Sequence, residues 1–159
     1  MLSHITNTLT HRISAGAFVE HESRLLLVRH RRERRYDFWV APGGGVQGAE
    51  DLRAAAIREV KEETGLEVIA HKLVYVEEFY SPETRHCKFW FTASLVGGTL
   101  CATAPEALAE HIVDAAWHTE AEVRRLEVFP HVLHGRFWED RARGFPNFEH
   151  LGMREMAFW

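Results

Sequence analysis

Residues 43–66 read GGGVQGAEDLRAAAIREVKEETGL, a glycine-rich stretch running into a charged, alanine-rich one. Gly43, Gly44, Gly45 and Gly48 predict a loop, because no regular element tolerates so many residues of maximal backbone freedom. Residues 50–64 then carry helical spacing, with Asp51 as an acidic first-turn residue and Gly65 placed to end the helix. At about 100° per residue, Glu59, Glu62 and Glu63 fall within about 100° of one another, and Ala56, Ile57 and Val60 take the adjoining face. The carboxylates therefore sit where a core would meet solvent. At the C-terminal end of a helix each charge opposes the macrodipole at a cost of about 0.3–1 kcal/mol. The i,i+4 pair Glu59–Glu63 adds a few tenths of a kcal/mol of repulsion. A divalent cation reverses both signs, and carboxylate oxygens are the donors that Mg²⁺ or Mn²⁺ prefers. On spacing alone, a solvated acidic face paired with Arg58 or Lys61 stays open as the alternative.

Outward from this stretch the chain alternates strands and helices irregularly. Residues 13–20 and 24–29 read as strands around the polar turn His21-Glu22-Ser23, and the apolar run Leu25-Leu26-Leu27-Val28 predicts burial on both faces. Residues 36–41 form a short strand ending at Pro42. Residues 68–79 read as a strand. Residues 87–96 alternate, with Cys87, Phe89, Phe91, Ala93 and Leu95 on one face and Lys88, Trp90, Thr92 and Ser94 on the other. Residues 80–85 are a hairpin-sized connection, and residues 113–118 a further short strand. Residues 119–126 and 132–143 look helical, the first with Thr119 as N-cap and Glu122 completing a capping box. The expectation is an α+β fold, a mixed β-sheet flanked by helices.

The chain has 159 residues, 46% of them apolar and 26% charged, which excludes disordered, collagen-like and coiled-coil classes. With no repeat or low-complexity linker, residues 1–159 are expected to form a single domain. No apolar run reaches the roughly 18–20 residues of a membrane span. Residues 1–7 lack a basic segment followed by an apolar one, so a cytoplasmic address is expected. A net charge of −4 argues against a nucleic-acid partner. Cys87 and Cys101 make no CxxC or disulfide framework and read as reduced packing residues.

Taken together, Gly44, Glu50, Arg58-Glu59-Val60, Glu62-Glu63 and Gly65-Leu66 stand at the spacing of a complete Nudix box, and the 25 residues from Pro42 to Leu66 resemble that family at every constrained position. The strand order on either side also resembles the Nudix α/β/α sandwich. The resemblance implies that Glu59, Glu62 and Glu63 hold a metal, Mg²⁺ or Mn²⁺, with the backbone carbonyl of Gly43 often completing the site. It implies that Arg58 holds the catalytic glutamates by charge-assisted hydrogen bonds, and that Glu50 supports the loop–helix geometry. Gly44 would let the backbone approach a diphosphate. The reaction implied is hydrolysis of a nucleoside diphosphate linked to another group. The general base in several members lies outside the box, where Glu106 and Glu110 stand before Trp117; Glu110 is preferred, and a box glutamate remains open.

Residues 29–35 hold six basic-type residues in seven, a solvated loop, an active-site rim using Arg29 or Arg31, or an RNA contact. Pro82 lies sixteen residues after Leu66, a placement that resembles ADP-ribose pyrophosphatases of the family, although prolines favour strand connections anyway. Phe79, Tyr80 and Trp90 are candidates for stacking on a nucleobase or for packing. His131 and His134 read as surface histidines. The aromatic clusters at 129–130, 137–138 and 145–148 are assigned to the core or to a contact between two copies in a homodimer. A small nucleotide diphosphate of ADP-ribose or nucleotide-sugar type is the favoured substrate. The alternatives are a nucleoside triphosphate pyrophosphohydrolase, a metabolite sensor without turnover, and an RNA-decapping role.

Overall fold

The turn at Glu22 and Ser23, both at positive φ (47° and 60°), joins β1 (Thr10–His21) to β2 (Arg24–Arg32) and starts a sheet of nine strands in this computed structural model, which describes residues 9–156. The reading of residues 1–7 lies outside the described residues. β3 (Tyr36–Val40) pairs antiparallel with β2, and β4 (Gly43–Gly45) pairs antiparallel with β1. After α1 (Leu52–Thr64), the long strands β5 (Leu66–Tyr80) and β6 (Thr84–Gly98) form a hairpin whose second arm runs parallel to β1. The chain continues through α2 (Pro105–Ala109), β7 (Ile112–His118) against β2, α3 (Glu120–Val123) and β8 (Val128–Phe129). A 3₁₀ turn at His131–His134, α4 (Arg136–Ala142) and β9 (Glu149–Glu155) complete it. The order is β8-β3-β2-β1-β6-β5-β9, with β4 on β1 and β7 on β2.

Both faces of the sheet are covered, as the uninterrupted apolar run in β2 requires: Leu25 to Val28 are all fully buried. On one face Ala17, Val19, Leu26 and Ala93 pack with Val60 of α1, while Ala15 and Phe91 meet its Ala55 and Ala56. On the other, Phe18, Tyr75 and Trp90 pack with Leu133, Phe137 and Trp138, with Phe18 stacked on Trp90 at 5.0 Å between centroids. The fold is α+β, a mixed sheet between helices.

Several expectations are corrected. The glycine run is a strand, β4. It lies so close to β1 that a Cβ on Gly43 would meet Gly16 Cα at 2.4 Å and the Ala15 carbonyl at 2.6 Å, so glycine permits the pairing where it was read as breaking it. Asp51 stands outside α1 as its N-cap, accepting from the Ala54 N–H at 2.8 Å, whereas Gly65 ends the helix as expected at φ 73°. The alternation of residues 87–96 places Phe91 and Trp90 on opposite faces of the sheet as read, and each is buried in a core layer, Trp90 at 1% exposure. The helix expected over residues 132–143 breaks at Gly135 into the 3₁₀ turn and α4, and α3 is only four residues long although its capping box is present. Neither α2 nor β9 was anticipated. Cys101 is exposed and packs no core, while Cys87 is half-buried. Phe137, Trp138 and Phe129 belong to the core and Phe145 packs on it, whereas Phe148 is exposed. Among the described residues no helix is long and apolar enough to cross a membrane.

Candidate active site

The last turns of α1 carry Glu59 and Glu63 inward, at 4% and 2% exposure, which places two carboxylates on a buried face shared with Ala55, Ala56, Val60 and Thr64. Glu110, at the C-terminal end of α2, brings a third. One carboxylate oxygen from each of Glu59, Glu63 and Glu110 lies within 4.8 Å of the others. Glu63 Oε2 accepts from the Gly43 N–H at 3.2 Å, and its Oε1 is buried without a hydrogen-bond partner. Burial pushes the Glu63 carboxyl well above the ordinary carboxylate range; the Lys88 ammonium opposes that shift, and the charges of Glu110 and Glu59 add to it. Burial raises the Glu59 carboxyl too, against the hydrogen bond from Arg58. A bare buried carboxylate oxygen facing two more carboxylates is costly without a cation. Three hard oxygen donors at this spacing fit a divalent ion.

Arg58 organises the outer side of the cluster. Its Nε and Nη2 donate to Glu50 at 3.1 and 2.6 Å, Nη1 to Glu59 at 2.7 Å and Glu62 at 3.0 Å, and Nη2 to the Gly45 carbonyl at 2.9 Å. These partners, Glu50 foremost, raise its guanidinium above an already high value. Glu50 also accepts from the Gln47 N–H at 2.8 Å, closing the loop before α1. Glu62 is thus engaged by Arg58 and is not one of the three clustered carboxylates. Gly44 presses on the site directly, since a Cβ there would stand 2.6 Å from the Glu59 carboxyl carbon. The Gly43 carbonyl accepts from Lys88 Nζ at 3.3 Å.

Beside the carboxylates opens a cavity of about 180 Å³ walled by Phe38, Phe79, Trp90 and Phe129, with His30 and Lys88 on the side of the cluster. Lys88 lies 4.5 Å from the Trp90 ring centroid, and burial lowers its ammonium pKa. Arg154 lies over both Phe79 and Phe129, at 4.8 and 5.1 Å, and pairs with buried Glu77 at 3.6 Å. The His30 ring stacks on Phe38 at 5.3 Å, and its Nδ1 lies 3.1 Å from the Glu110 carbonyl. Burial pushes the imidazole down to about 4, so the ring is neutral at neutral pH.

Of the residues expected to touch substrate, Gly44 lies against the Glu59 carboxylate and the stacking candidates Phe79 and Trp90 line the cavity, whereas Arg29, Arg31 and Tyr80 do not. Arg29 is held bidentately by Asp37, both bonds at 2.7 Å, and Arg31 is exposed with its Nε 3.8 Å from the same carboxylate. Strand alternation turns His30 to the cavity and both arginines away. The same alternation turns Tyr80, 41% exposed, away from the cavity that its neighbour Phe79 lines. Pro82 is exposed in the β5–β6 turn. His131 and His134 stack on each other at 5.8 Å and join no acidic cluster among the described residues. His30, Lys88 and Arg154 were missed. Lys88 shares the strand parity of Trp90, which was the signal available; Arg154 carried none.

The sequence profile of the NUDIX domain matches residues 10–139. The chain belongs to the Nudix hydrolase family. It is 31% identical over 117 residues to the uncharacterized Nudix hydrolase YvcI of Bacillus subtilis, covering 69% of this chain and 68% of that one. It is 35% identical over 103 residues to the 8-oxo-dGDP phosphatase NUDT18 of Homo sapiens, covering 65% of this chain but only 30% of the human protein. It is 28% identical over 92 residues to the ADP-ribose pyrophosphatase of Methanocaldococcus jannaschii, covering 57% and 54%. A NUDIX hydrolase structure from Nitrosomonas europaea superposes with a TM-score of 0.74 over 92% of this chain and 80% of that one, at 20% identity. That likeness supports the Nudix fold.

Proposed function

We propose that this Nudix protein is a divalent-metal hydrolase that cleaves the diphosphate of a nucleoside diphosphate joined to a further group, with ADP-ribose or a nucleotide sugar favoured. The observation that carries the reading is the juxtaposition of a three-carboxylate cluster with an aromatic cavity, bridged by Lys88. The names of the human and M. jannaschii relatives share a nucleoside diphosphate, and the M. jannaschii name adds a ribose joined to it.

In this reading Glu59, Glu63 and Glu110 hold the cation, Mg²⁺ with Mn²⁺ as substitute. When bound, it would neutralise charge on the diphosphate oxygens as water attacks. The chain's own groups do the rest. Arg58 fixes the carboxylates through its bonds to Glu50, Glu59 and Glu62. Phe79 and Phe129 take the planar end of the nucleotide, and the Lys88 ammonium faces the phosphates between cavity and cluster. Glu110 is the solvent-exposed member of the three and takes the proton of the attacking water.

The test is nucleotide release from ADP-ribose, nucleotide sugars, dinucleoside polyphosphates and triphosphates, with Mg²⁺, Mn²⁺ or chelator, beside Glu63→Gln. Metal-dependent turnover of one class, reduced at least about 100-fold in the folded variant, is expected. Wild-type turnover by Glu63→Gln overturns the assignment of the site. Tight binding with no turnover of any compound replaces the hydrolase reading with a sensor.

A further inference from the structure

Two of the three clustered carboxylates are fixed by α1, but Glu110 is not. It caps α2, a helix of five residues without a side-chain N-cap bond, and the residue after it, His111, sits at φ 60°. Ala107 of α2 is buried against Val28 and Ile112, and beyond it His30 and Arg31 tie this corner to the sheet by hydrogen bonds. The register of β2 against β7 slips between Arg29 and His30, the Arg31 N–H donates to the His111 carbonyl at 3.1 Å, and His30 Nδ1 meets the Glu110 carbonyl at 3.1 Å. A carbonyl only accepts, so Nδ1 carries the ring's hydrogen and Nε2 is left as an acceptor. The plane of that ring is set by its stack on Phe38, at an interplanar angle of 6°.

We propose that His30 is a positioning residue: from the cavity wall it holds the backbone at Glu110 so that this carboxylate stays with Glu59 and Glu63. The inference rests on the reading of Glu110 as a member of the functional cluster. It gives the basic run at residues 29–35 a purpose that its arginines do not supply, since the one histidine within it is the side chain turned to the site.

The experiment compares the wild type with His30→Phe, His30→Asn and Glu110→Gln by Mn²⁺ titration of the protein alone, thermal melting, and kcat and KM on whichever compound turns over. Phenylalanine keeps the stack on Phe38 but offers no donor to the Glu110 carbonyl; asparagine restores an N–H at the same reach. His30→Phe is expected to melt within about 2 °C of the wild type. It is also expected to bind Mn²⁺ about 10-fold more weakly and to lose about 10-fold in kcat with little change in KM. His30→Asn is expected to recover most of both. His30→Leu, which also lacks a donor, takes the place of His30→Phe if the larger ring does not fold. If Glu110→Gln leaves Mn²⁺ affinity unchanged, the membership of Glu110 in the cluster fails. If Glu110→Gln weakens Mn²⁺ while the donor-free His30 variants do not, the role of His30 fails alone.

Discussion

At the scale of single residues, Arg58 connects the most parts of the site. Its planar fork reaches Glu50, Glu59, Glu62 and the Gly45 carbonyl at once, an arrangement that a lysine's single ammonium cannot span. Arg58→Lys keeps the charge and loses the geometry. The expected outcome is a 10–100-fold (order of magnitude) fall in kcat/KM with a smaller change in melting temperature, read by steady-state kinetics and calorimetry. An unchanged kcat/KM would show that the carboxylates hold their places without the fork. The role of Arg58 was legible through the Nudix resemblance, and the i,i+4 spacing of a helix agrees with its contact to Glu62. No such rule reaches Glu110, which lies more than forty positions past Glu63 and joins it only through the tertiary path of α2. Arg29 and Tyr80 were misplaced for a related reason. In a strand, a shift of one residue exchanges the faces, and which face met the cavity depended on a pairing the sequence did not display.

At the scale of elements, β4 shows how the helix and sheet are set at the distance the chemistry needs. Its three glycines lie against β1 on one side, and Gly44 lies against the Glu59 carboxylate on the other. A methyl group at Gly44 would stand 2.7 Å from either carboxylate oxygen, well inside van der Waals contact, so Gly44→Ala must displace Glu59 from the cluster. We expect a folded protein with about 100-fold weaker Mn²⁺ binding and a matching loss of turnover. Wild-type Mn²⁺ affinity in Gly44→Ala would mean that Glu59 is not held against β4 in solution. The glycine run was read as a loop because glycine reports only freedom, and the backbone that exploits the freedom, Ala15-Gly16, lies in another element. By contrast α1 was legible nearly to the residue, since the alanines inside it and the caps Asp51 and Gly65 beside it all act locally. β9 lay at the other extreme. It pairs in parallel with β5, some seventy positions earlier, and its sequence EHLGMRE has no strong apolar alternation to announce it.

For the molecule as a whole, the α+β layering followed from local pattern, whereas the charge buried inside it did not. Glu63 and Glu59 are carboxyls raised by burial, so the folded chain binds their protons more tightly than the unfolded chain does. Stability from this source is therefore present at low pH and declines as pH climbs from the ordinary carboxyl value, about 4.3, toward the raised one. At neutral pH the folded site is left with an electrostatic cost that a divalent cation relieves. Mg²⁺ at about 100 times its Kd would add about 2.7 kcal/mol, which for a chain of this size lifts the melting temperature by about 5–10 °C. Glu63→Gln carries the neutral form permanently. It should melt above the wild type in chelator at neutral pH, lose that advantage toward pH 4, and gain much less from Mg²⁺. Calorimetry of both proteins across that range, with and without metal, decides the matter. If the two melt together in chelator and rise equally with Mg²⁺, Glu63 neither bears the cost nor holds the ion, and the reading of the cluster as the metal site fails.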